Sequence, residues 1–518
     1  MIIATAGHVD HGKTKLIEAI TGVNSDRLPE EKNRGMSIDL GFAYHDLGNG
    51  VILNFIDVPG HERFINNLLS GFSNVDLGLL VIAADDGPMP QTEEHLSILQ
   101  LLQVKNCIIV LTKIDKVNQK RLDNVCCLIK KMMHKTIFSD AEIFHISNKT
   151  SQGIDNLVSH LKIIALNYHH KEVKGNFRLS VDRRFLVKGA GIVITGTVVS
   201  GEVSVGEELI HSKSGESLII RAIHSQSKKS KNGIQGHRCS LNITGQKITI
   251  DKISRGDWIL SKNVFFLTNR LDAVLSILKN EKKIFKHWTA IHLYLGSGNV
   301  TGRIAILGSF SINPGEKKIV QLVLDKPVHA VFDDKFVIRD ISSSRTIGGG
   351  YILDPFAKKN NNTNFRSFRS ERLKLISPNS SKIVLNNLLL HYIEGIGLKY
   401  FLMSRNLTAS EFEKIIEPLD IVTELYKKHK WLILKTNWIC LQKIILDKLL
   451  KKDQPLSGQG MELNTILKVI KLNVPNFVVQ NILNESLKSE KIKKFKNLFF
   501  HPYHFSSYIK NMSWWFDI

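Results

Sequence analysis

Directly behind the apolar run Ile2–Ala6 stands Gly7-His8-Val9-Asp10-His11-Gly12-Lys13-Thr14, and few folds accommodate that succession. The string fits GxxxxGK[ST]. Its glycines let a backbone wrap closely round an anion with successive N–H groups pointing inward, and a following helix adds the positive end of its dipole. A strand, a tight turn and a helix in that order predict the first unit of an α/β domain. Residues 1–165 continue the alternation: 51–57, 77–83, 107–112 and 143–147 read as strands, with helical periodicity between them. Near-continuous apolar strands separated by helices predict a parallel sheet covered on both faces.

The pattern then changes. From 173 to 357, short Val/Ile/Thr-rich runs punctuated by glycine, as in FLVKGAGIVITGTVVSGEVSVGEEL, predict two antiparallel β-barrels, over 173–260 and 261–357. The asparagine-rich stretch KKNNNTN marks a linker over 358–375. Helical periodicity returns beyond it. Each helical group ends in a pair of short apolar runs, WLILKTNWICL and KIKKFKNLFFHP, so two winged-helix modules are expected, at 376–440 and 441–503. The expected fold class is therefore multidomain: an α/β P-loop domain, two β-barrels and C-terminal α+β winged-helix modules.

At 518 residues, with 43% hydrophobic and 23% charged residues, the composition is that of a multidomain globular chain. No apolar run approaches the ~20 residues of a membrane span, and the start lacks the basic and long apolar regions of a secretory signal. Five cysteines without a CxxC pair point to a reducing cytosol rather than disulfides or structural zinc. Residues 1–172 carry 17 Lys and Arg against 20 Asp and Glu, so the whole excess of +22 lies beyond them. A basic remainder behind a near-neutral head fits a polyanionic partner such as RNA; AT-biased coding is the alternative source of the lysines.

Three further strings complete a nucleotide site. Lys13 can reach the β- and γ-phosphates, and the Thr14 hydroxyl can ligate Mg²⁺. Asp57-Val58-Pro59-Gly60-His61 ends a strand, where Asp57 can hold Mg²⁺ through water and the Gly60 N–H can meet the γ-phosphate. Thr112-Lys113-Ile114-Asp115 ends another strand; a carboxylate at Asp115 accepts from guanine N1 and N2, a pairing adenine does not offer. Ser147-Asn148-Lys149 supplies a backbone N–H for guanine O6. In order, each at a strand end, they predict a GTP-binding domain.

These motifs resemble the translational GTPases related to elongation factor Tu. AITGVNSDRLPEEKNRGMSIDLGFAY, DVPGHERFINNLLSG, DDGPMPQTEEHLSILQLL and FRLSVDRRFLVKGAGIVITGTVVSG are similar to the selenocysteine-specific elongation factors among them. The resemblance implies a ribosome-stimulated GTPase that uses GTP and Mg²⁺ and carries selenocysteyl-tRNA to the ribosome at recoded UGA codons. It implies Ser37 as a Mg²⁺ ligand beside Thr14 and Asp57, and His61 as the residue that orients the attacking water. His8 and His11 shape the loop. Ser37 stands for the family's threonine, Lys15 for a small hydroxyl residue, Thr112 for asparagine and Asn148 for alanine. None of these changes removes a charge the chemistry needs.

The resemblance also places Asp182, Arg183 and Arg238 at a pocket where fixed positive charge would favour a selenolate over a neutral seryl group. Ordinary surface charge or tRNA phosphate contact is the other reading of the arginines. The resemblance further implies a winged-helix reader of an mRNA insertion hairpin. Two modules followed by NMSWWFDI, read as the opening of a third over 504–518, are expected, with that reader missing. The lysines from Lys488 to Lys496 are either phosphate contacts or a solvated face. A cytoplasmic monomer with no membrane partner is expected. A general or initiation-type translational GTPase, a factor that has lost hairpin recognition, and a non-catalytic RNA-tethering remnant are the rival readings.

Overall fold

The computed structural model describes residues 1–513 except 27–28, 35–36, 49–50, 62–63, 73–74, 135, 169–171, 227, 360–362, 427–428, 451–459, 471 and 473. Gly35 and Met36, part of KKNNNTN and most of NMSWWFDI therefore lie outside the described residues. The chain forms two compact units, Met1–Leu373 and Lys374–Ile518. Among the described residues, no helix is long and apolar enough to cross a membrane.

The first unit opens with a six-stranded sheet: β1 (Ile2–Ala6), β2 (Gly41–Asp46), β3 (Ile52–Asp57), β4 (Leu77–Ala83), β5 (Asn106–Thr112) and β6 (Ile143–His145), ordered β2-β3-β1-β4-β5-β6. β1, β3, β4, β5 and β6 are parallel. The sheet is nevertheless mixed, because β2 pairs antiparallel with β3 from Gly41↔Asp57 to Asp46↔Ile52. Only a few residues join those two strands, too few for a parallel crossover, so a hairpin results. The sheet is covered on both faces. Leu16, Ile17, Leu157 and Leu161 lie in the core on one side, and Leu68, Leu96, Leu99, Val125 and Ile129 in the core on the other. The loops after β1, β3, β4 and β5 gather at the carboxyl edge, where ligands bind in such sheets.

Two closed six-stranded barrels follow. The first runs Glu208–His211, Trp258–Leu260, Arg178–Val187, Gly191–Ser200, Arg238–Thr244 and Ser217–Ser225 in spatial order. The second runs Thr268–Ile277, Lys317–Val328, Gly298–Ile306, Thr289–Leu295, Lys335–Asp340 and Thr346–Asp354. Closure removes the unpaired edges that short antiparallel strands would otherwise expose. Arg178 of the first barrel is buried under Trp258, 4.7 Å from its ring centroid, and forms paired bonds of 3.1 and 2.5 Å with Asp334 of the second.

The stretch expected as a linker is structured from Thr363 onward as the helix Thr363–Ile376. Its Arg369 is buried and bound to the equally buried Asp272, with Nε at 2.7 Å, while Nη1 donates to Lys358 O at 2.8 Å. These contacts tie the helix to the second barrel, which the composition upstream does not record. Burial pushes the Asp272 carboxyl up to about 6 against the pull of Arg369.

In the second unit, Thr408 and Glu411 cap the helix Ala409–Ile416 reciprocally, the Thr408 N–H donating to Glu411 at 2.8 Å. The hairpin Ile421–Tyr426/His429–Leu434 follows. WLILKTNWICL is not a pair of strands: its second half begins the helix Lys435–Leu450, which runs through the expected boundary at 440/441. Trp438, Leu441, Ile445 and Leu449 share a core with Met461, Val478, Ile482 and Phe499, and that burial recruits the segment as a helix of the later module. The second hairpin, Lys493–Phe495/Leu498–Phe500, buries Phe499 and Phe500, so these rings pack the wing.

Candidate nucleotide and cargo sites

The loop after β1 is held by geometry only glycine tolerates. Gly7 has φ +134, and a Cβ there would lie 2.1 Å from Val81 O; Gly12 has φ +83 at the start of the helix Lys13–Thr21. Asp10 takes the left-handed conformation between them. Helix Pro90–Leu101 supports the loop from outside: His95 Nδ1 accepts from Gly7 N at 2.8 Å and Gln91 Oε1 from Val9 N at 3.4 Å. Burial drives the His95 imidazole well below its ordinary pKa, so it is neutral and fit to accept. The same helix presents Glu94 to the buried Arg339 of the second barrel at 2.6 Å.

Lys13 is buried, and its ammonium donates to Gly7 O at 3.1 Å and His8 O at 2.7 Å. Desolvation lowers its pKa to about 8, against the opposing pull of Asp57, Asp10 and Asp26. Gly60 lies directly against it: a Cβ there would stand 2.6 Å from Lys13 Nζ and 2.7 Å from Val9 N. His61 follows half-buried, edge-on to Phe64 with centroids 6.1 Å apart. His8 and His11 meet edge to face at 5.1 Å, and burial brings His11 down to about 4. Neutral inside the loop, His11 has the character of a shaping residue.

Oxygen atoms converge on Asp57. Its Oδ2 accepts from Thr14 at 2.7 Å and Ser25 at 2.6 Å, and its Oδ1 from Thr5 at 3.1 Å. Ser37 Oγ lies 3.0 Å from Thr14 Oγ1 and donates to Asp26 at 2.8 Å. Burial raises the Asp26 carboxyl pKa. Hard oxygen donors of this kind fit Mg²⁺, which keeps water and phosphate in its shell and takes few protein ligands. Thr5, Ser25 and Asp26 were not legible as site residues. Ser25 and Asp26 stand in a loop without periodicity, and Thr5 reads as one more strand residue.

At the end of β5 and in the loop after β6, the Thr112 hydroxyl donates to His11 O at 2.7 Å, and Asn148 Nδ2 donates to Gly12 O at 3.3 Å. Both side chains thus tie these strand ends to the phosphate loop. Asn148 Oδ1 is buried without a protein partner. Lys113, with φ +58, lies 3.5 Å from Asp85. Asp115 accepts from Ser147 Oγ at 2.6 Å, which holds its carboxyl below the usual range, and its side chain is open to solvent. Lys15 pairs with Glu18 on the surface, away from this chemistry.

Asp182, Arg183 and Arg238 do come together, against strand β2. Arg238 lies 3.7 Å from the Phe42 ring centroid and grips Asp182 with bonds of 3.0 and 2.9 Å. Arg183 lies 5.6 Å from the same ring, donates to Leu40 O at 2.5 Å and pairs with Asp39 at 2.7 Å. Arg255 reaches Asp39 at 3.8 Å. Three guanidinium groups thus face two carboxylates in a half-buried cluster two residues beyond Ser37.

Residues 1–166 match the elongation factor Tu GTP-binding domain, and residues 272–359 the β-barrel domain of the selenocysteine-specific elongation factor. The selenocysteine-specific elongation factor of Escherichia coli K12 is 41% identical over 353 residues, 68% of this chain and 55% of that protein. Its Haemophilus influenzae counterpart is 32% identical over 509 residues, 97% of this chain and 78% of that protein. The chain therefore spans between about half and four-fifths of the length of these relatives. A crystal structure of bacterial selenocysteine-specific elongation factor EF-Sec superposes with a TM-score of 0.75 at 28% identity, covering 97% of this chain and 80% of that one. Translation elongation factor SelB of Methanococcus maripaludis with the GTP analogue GppNHp superposes at 0.59 and 27% identity, over 68% of this chain and 79% of that one. By sequence and fold together, the chain belongs to the selenocysteine-specific elongation factors.

Proposed function

We propose that the chain binds GTP and selenocysteyl-tRNA, delivers the tRNA to the ribosome at recoded UGA codons, and hydrolyses GTP on delivery. The loop N–H groups from Gly7 to Thr14 take the phosphates, and Lys13 balances charge on the β- and γ-oxygens. Thr14 and Ser37 would hold Mg²⁺, with Asp57 acting through water. The ion when bound neutralises charge on the phosphate oxygens. His61 orients a water for attack on the γ-phosphorus, which releases phosphate and GDP once the ribosome docks. Asp115 selects guanine through N1 and N2, beside Thr112, Lys113, Ser147 and Asn148. The tRNA acceptor end lies across the basic barrels, and Arg183 and Arg238 receive the selenolate, with Asp182 holding Arg238 in place. The factor works as a cytoplasmic monomer.

The observation that carries this reading is the path of one strand. β2 follows the segment that holds Ser37 and delivers Phe42 beneath both arginines. That path supports a reading in which nucleotide and cargo chemistry are adjacent. Retention of selenocysteyl-tRNA and seryl-tRNA on filters, each with a GTP analogue and with GDP, tests it. Preference for the selenocysteyl ester in the GTP-analogue state is expected; equal retention of both esters overturns the proposal.

A further inference from the structure

The second barrel carries an aromatic face that the nucleotide and cargo sites do not use. Trp288 and Phe310 are 47% and 75% exposed. His287 bridges them, stacked on Trp288 at 6.2 Å and edge-on to Phe310 at 6.0 Å. The strand pair Phe285–Lys286/Ser311–Ile312 fixes the arrangement: Phe285 and Ile312 are buried, Lys286 stands opposite Ser311, and His287 N donates to Phe310 O at 2.8 Å. Trp288 has φ +67, a conformation that a bulky residue adopts only where its surroundings impose it, and here it leaves the indole half in solvent.

Cations frame the face. Arg303 donates to Trp288 O at 3.3 Å, and Lys318 donates to Ser311 O at 2.8 Å and Ser309 Oγ at 3.2 Å. Lys282, Lys283 and Lys286 are exposed in the same segment. Its single acid, Glu281, is already bound to Arg345, with one contact at 2.6 Å. Lys318 is already paired with Glu316 at 3.5 Å, which leaves Lys282, Lys283, Lys286 and Arg303 as the cations for a ligand. Solvent-facing rings bordered by such cations suit stacked bases and their phosphates, whereas a duplex buries its base faces and could use only the cations.

We propose that this face binds unpaired RNA, with bases stacked on Trp288 and Phe310 and phosphates against Lys286 and Arg303. The proposal rests on the RNA-handling reading above only for its choice of polyanion. The test titrates the full chain, loaded with a GTP analogue, against a labelled 12-nucleotide single-stranded RNA and the matching duplex, by fluorescence anisotropy. Trp288→Ala with Phe310→Ala is expected to weaken single-strand binding about tenfold or more and duplex binding little. Trp288→Phe should restore most of the affinity lost at that position. Lys286→Ala and Arg303→Ala should each lower the salt slope by about one. Unchanged single-strand affinity in the double variant, or an equal loss for strand and duplex, overturns the proposal, and a face reserved for a protein partner would give the first result. Retained GTP-analogue affinity in every variant shows that the fold and the nucleotide reading stand independently.

Discussion

The nucleotide site and the arginine cluster are built on opposite plans. The phosphate loop, Asp57, Asp115 and Ser147 stand at the ends of neighbouring strands of one sheet, so the backbone that forms the domain also forms the site. The arginine cluster takes Asp39 and Phe42 from that domain and Asp182, Arg183, Arg238 and Arg255 from a barrel. It exists only while the two are apposed. A site of the first kind is assembled within one domain; one of the second kind loses its geometry when domains shift. Variants at the two sites should therefore fail in different ways.

The largest expected effect is at the sheet site. Asp115→Asn should reduce GTP affinity by several orders of magnitude and favour xanthine nucleotides, because the site's polar groups lose their matched partners. Competition titration of GTP, XTP and ATP measures this, and equal binding of ATP and GTP by the parent would remove Asp115 as the selecting residue. His61→Ala should leave nucleotide affinity nearly unchanged and slow ribosome-stimulated hydrolysis at least ~10²-fold in single-turnover assays.

Effects at the arginine cluster should be smaller and more entangled with folding. Arg238→Ala leaves the Asp182 carboxylate poorly solvated beneath Phe42 and should cost about 3–5 kcal/mol of stability in urea denaturation. Arg183 is the cleaner probe, since Asp39 remains reachable by Arg255. Arg183→Ala should narrow the preference for selenocysteyl over seryl ester about tenfold, a typical loss for one charge-assisted contact. An unchanged preference would make Arg183 a purely structural link.

The smallest effect concerns pH. Desolvation lowers the Lys13 pKa to about 8, and phosphate beside it should raise that value. Binding is thus fully favoured below 8 and weakens as pH rises above it, by up to about tenfold per unit until the bound-state value is reached. Calorimetry of GDP binding between about pH 7 and 9 should also show proton uptake at the upper end.

What could be read in advance follows the same division. The phosphate loop and the strand-end motifs were legible because their spacing is dictated by a backbone wrapping phosphate. The barrels were legible from alternation and glycine turns. His95 and Gln91 were not assigned, although their four-residue spacing places them on one helix face; nothing in periodicity says that this face meets the phosphate loop. The edge strand β2 was missed because GFAYHD is short and half-polar. The segment after Leu434 read as strand because its apolar residues are close together, and only packing against Val478 and Ile482 makes it helical. That Arg183 and Arg238 share one aromatic ring depends on the strand Gly191–Ser200 pairing with both of theirs, at Arg183↔Thr195 and Arg238↔Thr197, and on β2 lying against them, which no local pattern records.

Helix Pro90–Leu101 gives the nucleotide a mechanical handle on the second barrel. Gln91 and His95 grasp the phosphate loop, and between them, on another face of the same helix, Glu94 is clamped to Arg339 and, at 2.8 Å, to Thr346. A rigid stretch of helix held from two sides ties loop and barrel together. Where phosphate binding shifts the loop, the barrel is drawn with it, and by reciprocity a partner that favours the shifted barrel raises phosphate affinity by the same factor. The loop is in that sense half of a balance, with the second barrel as its other pan.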